Sequence, residues 1–308
     1  MVSMLIDTDC GVDDAEAILM ALRHAGTTVE AITTVTGNVH LDLVNRNVAV
    51  VQHVAGTNVP MYSGASEPLV ESWQHAESYH LRDGLGEWDE RPDVPLRLQP
   101  EAAAVALVRL ANEHPQSTLV ALAPLTNLAL AVRLDPTFPS KIGRLVVMGG
   151  AVNAVGNTER VATEFNIGAD PEAAHIVFTS FPTLTLVGWE ATLAHPMAWA
   201  DFDRLCALPT PYAAFFRGIN VKLSSVWRQL PEAVGHLLPD PLAMAVALEP
   251  ALIQDAEQRA VRIELNGTLT RGQTVVNYGR HDYGTVQSLI VKRVDMGGVL
   301  KLYENMLS

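Results

Sequence analysis

LIDTDCGVDDAEAILMAL, residues 5–22, decides how the chain is read. An apolar run leads into four aspartates, Asp7, Asp9, Asp13 and Asp14, within eight positions, and a second apolar run follows at helical spacing. A buried strand, a tight polar turn and a helix account for that order. Like charges so crowded repel one another. At a helix N-terminus Asp13 and Asp14 would each gain ~0.3–1 kcal/mol from the dipole. Asp7 and Asp9 precede the turn and gain nothing from it, so the cluster calls for a counter-ion.

Working outward, strand-like and helix-like runs alternate. VEAITTVTGN is β-branched and ends in a turn, and LDLVNRNVAVVQHVAG is helical. VPMYSG, STLVALA, GRLVVMGG and TLTLVGW read as strands; AAAVALVRLANEH, PLTNLALAVRL and DPEAAHIVF read as helices, the last begun by an Asp-Pro cap. Such alternation predicts an α/β fold with an open, mostly parallel, Rossmann-like central sheet flanked by helices. Continuous apolar strands fit a sheet covered on both faces. Residues 65–99 and 208–236 break the rhythm and read as irregular segments, either binding loops or lids or ordinary surface loops. After residue 260, RIELNGTLTRGQTVVN and GTVQSLIVKRV read as a hairpin-like C-terminal β addition before a final helix. No repeat or linker divides the chain, and one domain over 1–308 is expected.

The 308 residues are 48% hydrophobic and 18% charged, with 34 acidic against 21 basic residues and a net charge of -13. That balance excludes a nucleic-acid polymer as partner, which needs a basic stripe. It suits a cation or a neutral polar ligand. Cys10 and Cys206 make neither a disulfide framework nor a zinc cluster. No uncharged stretch reaches the ~20 apolar residues of a membrane span, and MVSMLIDTD does not read as a signal peptide. A cytoplasmic location is expected.

Ligands of open parallel sheets bind beyond the carboxyl ends of the strands. There the first strand delivers its aspartates, the second Thr36, Gly37 and Asn38, and GRLVV delivers Met148, Gly149 and Gly150. Hard oxygen donors suit calcium or magnesium. The spacing is not an EF-hand, and no P-loop is present. Asp7-Thr8-Asp9 is also like the start of the aspartyl-phosphate motif of haloacid-dehalogenase-type phosphatases, with Gly11 where Thr or Val belongs. That alternative needs Asp7 as nucleophile and a later lysine at a strand end. After residue 140 only Lys141 and Arg144 appear, at a strand's beginning.

DTDCGVDDA resembles the DTDxGxDDA motif of the nucleoside hydrolases, the inosine–uridine-preferring N-ribohydrolase group. The resemblance continues in order through AITTVTGN (31–38), HLRDGLG (80–86), PLTNLA (124–129), VVMGGA (146–151), EFNIGADPEAAHIVF (164–178) and PDPLAMA (239–245). It implies calcium-dependent cleavage of ribonucleosides to base and ribose by a homodimer or homotetramer. It implies calcium ligands in Asp9, Asp14, Asp240 and the carbonyl of Leu122, and Asp9 as general base. It implies ribose contacts from Asp13, Asn38, Glu164 and Asn166, with Met148 against the sugar. A non-catalytic calcium-dependent nucleoside binder is the remaining alternative.

Two positions depart from the commonest pattern. Pro239 stands where many members carry a histidine that protonates the leaving base, and Cys10 stands where proline is common. Together they resemble a less-studied branch of the family. Cys10 reads as a buried small residue. His80 and His236 are candidate replacement donors, and Trp227 is a candidate to stack on the base.

Overall fold

The structure is a computed structural model that describes residues 1–72, 75–230, 233–279 and 286–308. Its strands are β1 (Val2–Thr8), β2 (Thr27–Thr34), β3 (Met61–Ser63), β4 (Leu98–Gln99), β5 (Thr118–Ala121), β6 (Arg144–Met148), β7 (Thr183–Val187), β8 (Met197–Ala198), β9 (Gly235–His236), β10 (Ile253–Arg259), β11 (Val261–Ile263), β12 (Thr274–Val276) and β13 (Gln287–Val294). Among the described residues, nine of them form one sheet in the order β10-β13-β7-β6-β5-β1-β2-β3-β4. All its neighbours are parallel except β10 and β13.

Period-2 alternation sorts the strand residues into two apolar layers. Met4, Ile6, Val120 and Val146 face one layer; Leu5, Leu119, Leu145 and Val147 face the other. The first layer is closed by helices α1 (Val12–Arg23), Leu41–Ala55, Pro211–Trp227, Pro239–Leu248 and Met296–Leu307. The second is closed by Ala103–Glu113, Thr126–Leu134 and Pro171–Ser180. The chain runs outward from β1 to β4, then returns past β1 to β5. The direction of strand addition therefore reverses between β1 and β5. That is the switch point where such sheets open a crevice.

Asp7 and Asn127 tie this point together. The Asp7 carboxylate is fully buried, and its Oδ1 accepts from Thr33 Oγ1 at 2.5 Å and Asn127 Nδ2 at 2.8 Å. Asn127 Nδ2 also donates to the Thr34 carbonyl at 2.9 Å, and its Oδ1 accepts from Ala65 N–H at 3.0 Å. Burial pushes the Asp7 carboxyl up to about 7, against the pull of these donors.

The sheet and its flanking helices match the sequence expectation, and three details differ. AEAILMALRHAG (15–26) reads as the first helix, whereas α1 begins earlier, at Val12, because Asp14 folds back to accept from Gly11 N–H at 2.9 Å, and ends at Arg23. The 208–236 segment, expected to be irregular, contains the 17-residue helix Pro211–Trp227. Thr210 caps it by accepting from Ala213 N–H at 3.1 Å, and Pro211 opens it. The C-terminal addition is two structures: β11 pairs with β12 in a separate antiparallel ribbon, while β13 joins the main sheet between β7 and β10. The 65–99 segment is mostly irregular, broken by the single turn Glu77–His80 and by β4. Residues 73–74, 231–232 and 284–285 of these expectations lie outside the described residues. No helix among the described residues is long and apolar enough to cross a membrane.

Asn127→Ala removes two donors and one acceptor from buried partners, and leaving such groups unsatisfied costs about 1–3 kcal/mol each. Urea unfolding is expected to show a lower midpoint at unchanged slope. An unchanged midpoint would remove this tie from the account of the fold.

Candidate active site

A cleft of about 570 Å³ opens at the switch point, within the size of small-ligand sites. Its walls include Asp13 from the first turn of α1, Asn38 after β2, Leu122 after β5, Met148 at the end of β6 and Asp240. Asp9 and Asp14 lie fully buried behind this wall. Asn38 links the two: its backbone N–H donates to Asp9 Oδ2 at 2.7 Å, and its Nδ2 donates to Asp14 Oδ2 at 3.1 Å. Gly37 lets them meet, since a Cβ there would fall 2.0 Å from Asp9 Oδ2.

One oxygen from each of Asp13, Asp14 and Asp240 lies within 4.8 Å of the others, a spacing that could hold a metal ion. Asp9 is outside that trio, but its Oδ1 is buried with no hydrogen-bond partner. Asp14 is the most constrained, accepting from Thr8 Oγ1 at 2.5 Å besides Gly11 and Asn38. Burial holds Asp9 and Asp240 well above the usual carboxylate range, with repulsion from Asp14 next. Burial also pushes Asp13 and Asp14 up to about 6, helped by Glu16 and by Asp13 respectively. A cation would relieve both causes. The all-oxygen donor set and the unpartnered Asp9 oxygen fit a hard divalent ion.

Glu164, Asn166, Leu122 and Met148 lie together at one side of the cleft. Glu164 caps the helix Phe165–Ala169, its oxygens accepting from Asn166 N–H at 3.0 Å, Gly150 N–H at 2.8 Å and Ile167 N–H at 3.2 Å. Burial outweighs those donors and raises its carboxyl to about 7. Asn166 Nδ2 donates to the carbonyls of Leu122 at 2.9 Å and Met148 at 3.2 Å. The Leu122 carbonyl keeps a second lone pair.

His80 lines the cleft at 4% exposure, and its Nδ1 accepts from Val12 N–H at 3.2 Å. A neutral ring in that role carries its proton on Nε2. Burial lowers its pKa to about 4, against the pull of Asp14. Trp227 lines the cleft and meets Tyr79 edge-to-face at 4.7 Å. Pro239 is part of the same wall. His236 is not: it faces a smaller neighbouring cavity and lies 3.2 Å from Glu16 Oε1. Cys10 is fully buried, at the turn between β1 and α1, with φ of 21°. Tyr79 and Trp189 were not foreseen as lining residues. Trp189 closes the run TLTLVGW, two residues past the end of β7, where the strand-end rule that places Met148 in the cleft also places it.

Comparison with known proteins places the chain in a family. The family model described as inosine-uridine preferring nucleoside hydrolase matches residues 4–301. The chain is 36% identical over 278 residues to the inosine-uridine preferring nucleoside hydrolase of Leishmania major, covering 89% of this chain and 87% of that one. It is 33% identical over 312 residues to the pyrimidine-specific ribonucleoside hydrolase RihA of Shewanella sp. (strain MR-7), covering 99% and 96%. Among solved structures, the plant nucleoside hydrolase PpNRh1 superposes with a TM-score of 0.91 at 31% identity, over 99% of this chain and 98% of that one. A family model matched over nearly the whole chain, relatives similar over nearly their full length and a shared fold lead to one conclusion: the chain belongs to the inosine-uridine preferring nucleoside hydrolase family.

Proposed function

We propose that residues 1–308 are a single catalytic domain that hydrolyses the N-glycosidic bond of ribonucleosides to free base and ribose, with calcium as cofactor. The observation that carries the proposal is the convergence of Asp13, Asp14 and Asp240 beside a buried Asp9 oxygen that has no partner. Breaking a glycosidic bond builds positive charge on the sugar. A fixed cluster of carboxylates stabilises that charge where it develops.

By family resemblance, the carboxylates of Asp9, Asp14 and Asp240 and the carbonyl of Leu122 would hold the calcium. When bound, calcium supplies a fixed positive charge that orients hydroxyls and acidifies water. Asp9 is held by Asn38 at one oxygen and takes the proton of the attacking water at the other. Asp13 accepts from the 2′-hydroxyl. Asn38, Glu164 and Asn166 bind the remaining ribose hydroxyls, and Met148 packs on the sugar. Trp227 stacks on the base. His80, with Nδ1 occupied by Val12 N–H, offers its Nε2–H as a hydrogen-bond donor to the departing base, in the place that Pro239 leaves without one. The same resemblance supports a homodimer or homotetramer.

The phosphatase alternative is disfavoured because Thr33 and Asn127 both occupy Asp7 Oδ1 and tie that side chain into the fold. A pure binder differs from the proposed enzyme only in turnover. Ribose release from several ribonucleosides, abolished by a chelator and restored by calcium, is the expected result. Binding without ribose release would establish the binder instead. Asp9→Asn is expected to lower kcat by at least ~10²–10⁴-fold, the usual contribution of a general base. Near-normal turnover of that variant would reject Asp9 as the base. His80→Ala is expected to lower kcat for ordinary nucleosides and to spare a nitrophenyl riboside, whose leaving group needs no proton. Equal losses on both substrates would assign His80 to binding or structure.

A further inference from the structure

α1 carries a second buried carboxylate that the proposed chemistry does not use. Glu16, two residues after Asp14, is 1% exposed among Ala15, Ala17 and Ile18. Burying a carboxylate is costly unless several partners satisfy it. Three partners do so here, from three different elements. Asn220 Nδ2 donates to Oε1 at 2.8 Å, Tyr303 Oη donates to Oε2 at 2.5 Å, and His236 Nε2 lies 3.2 Å from Oε1. Asn220 belongs to the helix that ends at Trp227, seven residues or about two turns earlier, on the same face. His236 lies in β9, on the segment that leads into Pro239 and Asp240. A small cavity of about 30 Å³, enough for a water, lies between Glu16 and the back of the Tyr79–Trp227 pair, and Asp13 borders it too.

We infer that Glu16 is a positioning residue: through Asn220 and His236 it fixes the Trp227–Tyr79 wall of the cleft against the carboxylates of α1, and so sets the fit of the base. The role rests on the nucleoside hydrolysis proposed above. It acts through hydrogen-bond geometry, so glutamine at 16 keeps the contacts: its carbonyl accepts from Asn220 and His236, and its amide donates to the Tyr303 hydroxyl. Alanine at 16 keeps none.

The test compares Glu16→Ala, Glu16→Gln and Asn220→Ala with the parent chain by two readouts. The first is the fluorescence of Trp227, taken as the difference between each protein and its Trp227→Phe counterpart. The second is KM for a ribonucleoside against inhibition by free ribose, which meets only the sugar side. Glu16→Ala is expected to shift the Trp227 emission to the red. It is also expected to raise KM about tenfold while ribose inhibition moves less than about twofold. Glu16→Gln is expected to restore both. If Glu16→Ala does not fold, Asn220→Ala, which leaves Tyr303 and His236 on the carboxylate, is expected to shift both readouts the same way. Unchanged KM and emission overturn the inference. So does a parallel change in ribose inhibition, which would mean general distortion, or a glutamine variant as defective as alanine, which would mean charge rather than position. A parent chain that releases no ribose would overturn the hydrolase proposal, and the Trp227 emission would still decide the role of Glu16.

Discussion

Mutual repulsion among buried carboxylates is the constraint on which the rest of this structure depends. Asp9, Asp14 and Asp240 are all at or near zero exposure, and burial and neighbouring charge raise the cost of ionising each. A fold tolerates such a cluster only where rigid neighbours over-determine it. Thr8, Gly11 and Asn38 supply that rigidity by donating to Asp14 and Asp9. Cleavage of a glycosidic bond turns the cost into use, because the same negative field favours a positively charged sugar.

The sheet topology explains why the cluster forms here. Reversal of strand order between β1 and β5 leaves a gap beyond their carboxyl ends. Asp9, Asp13 and Asp14 enter that gap from the β1–α1 turn, Leu122 from β5, Met148 from β6, and Asp240 from the start of a helix fully buried against the sheet. Asp7, one strand residue pair earlier, faces inward and serves the fold through Thr33 and Asn127. The four aspartates of the motif thus divide between structure and site.

Much of this was legible in the sequence. Alternating apolar runs disclosed the parallel sheet, and ordered motifs disclosed the family together with several of the residues that line the cleft, among them Asp13, Asn38, Met148 and Glu164. The helix Pro211–Trp227 is not legible in the alternation of runs, because residues 208–236 break the rhythm and read as an irregular segment. Thr210 and Pro211 are in fact its cap and first residue, and Phe215, Phe216, Ile219 and Leu223 follow at helical spacing. Strand β10 is not legible in the sequence because its charged residues give no apolar run; among the described residues it stands at the edge of the sheet, beside β13. Glu16 could not be recognised as a buried tie, since Asn220, His236 and Tyr303 are brought to it only by the fold. Sequence spacing carries local periodicity; it does not carry which distant donors will meet one carboxylate.

A crystal structure of the chain grown with calcium and a non-hydrolysed ribonucleoside analogue tests the central claim most directly. One calcium per chain is expected in the cleft, with oxygens of Asp9, Asp14, Asp240 and the Leu122 carbonyl at ~2.3–2.6 Å and the ribose hydroxyls completing the shell. An analogue bound with no ion among these carboxylates, or an ion held only at other residues, would contradict it.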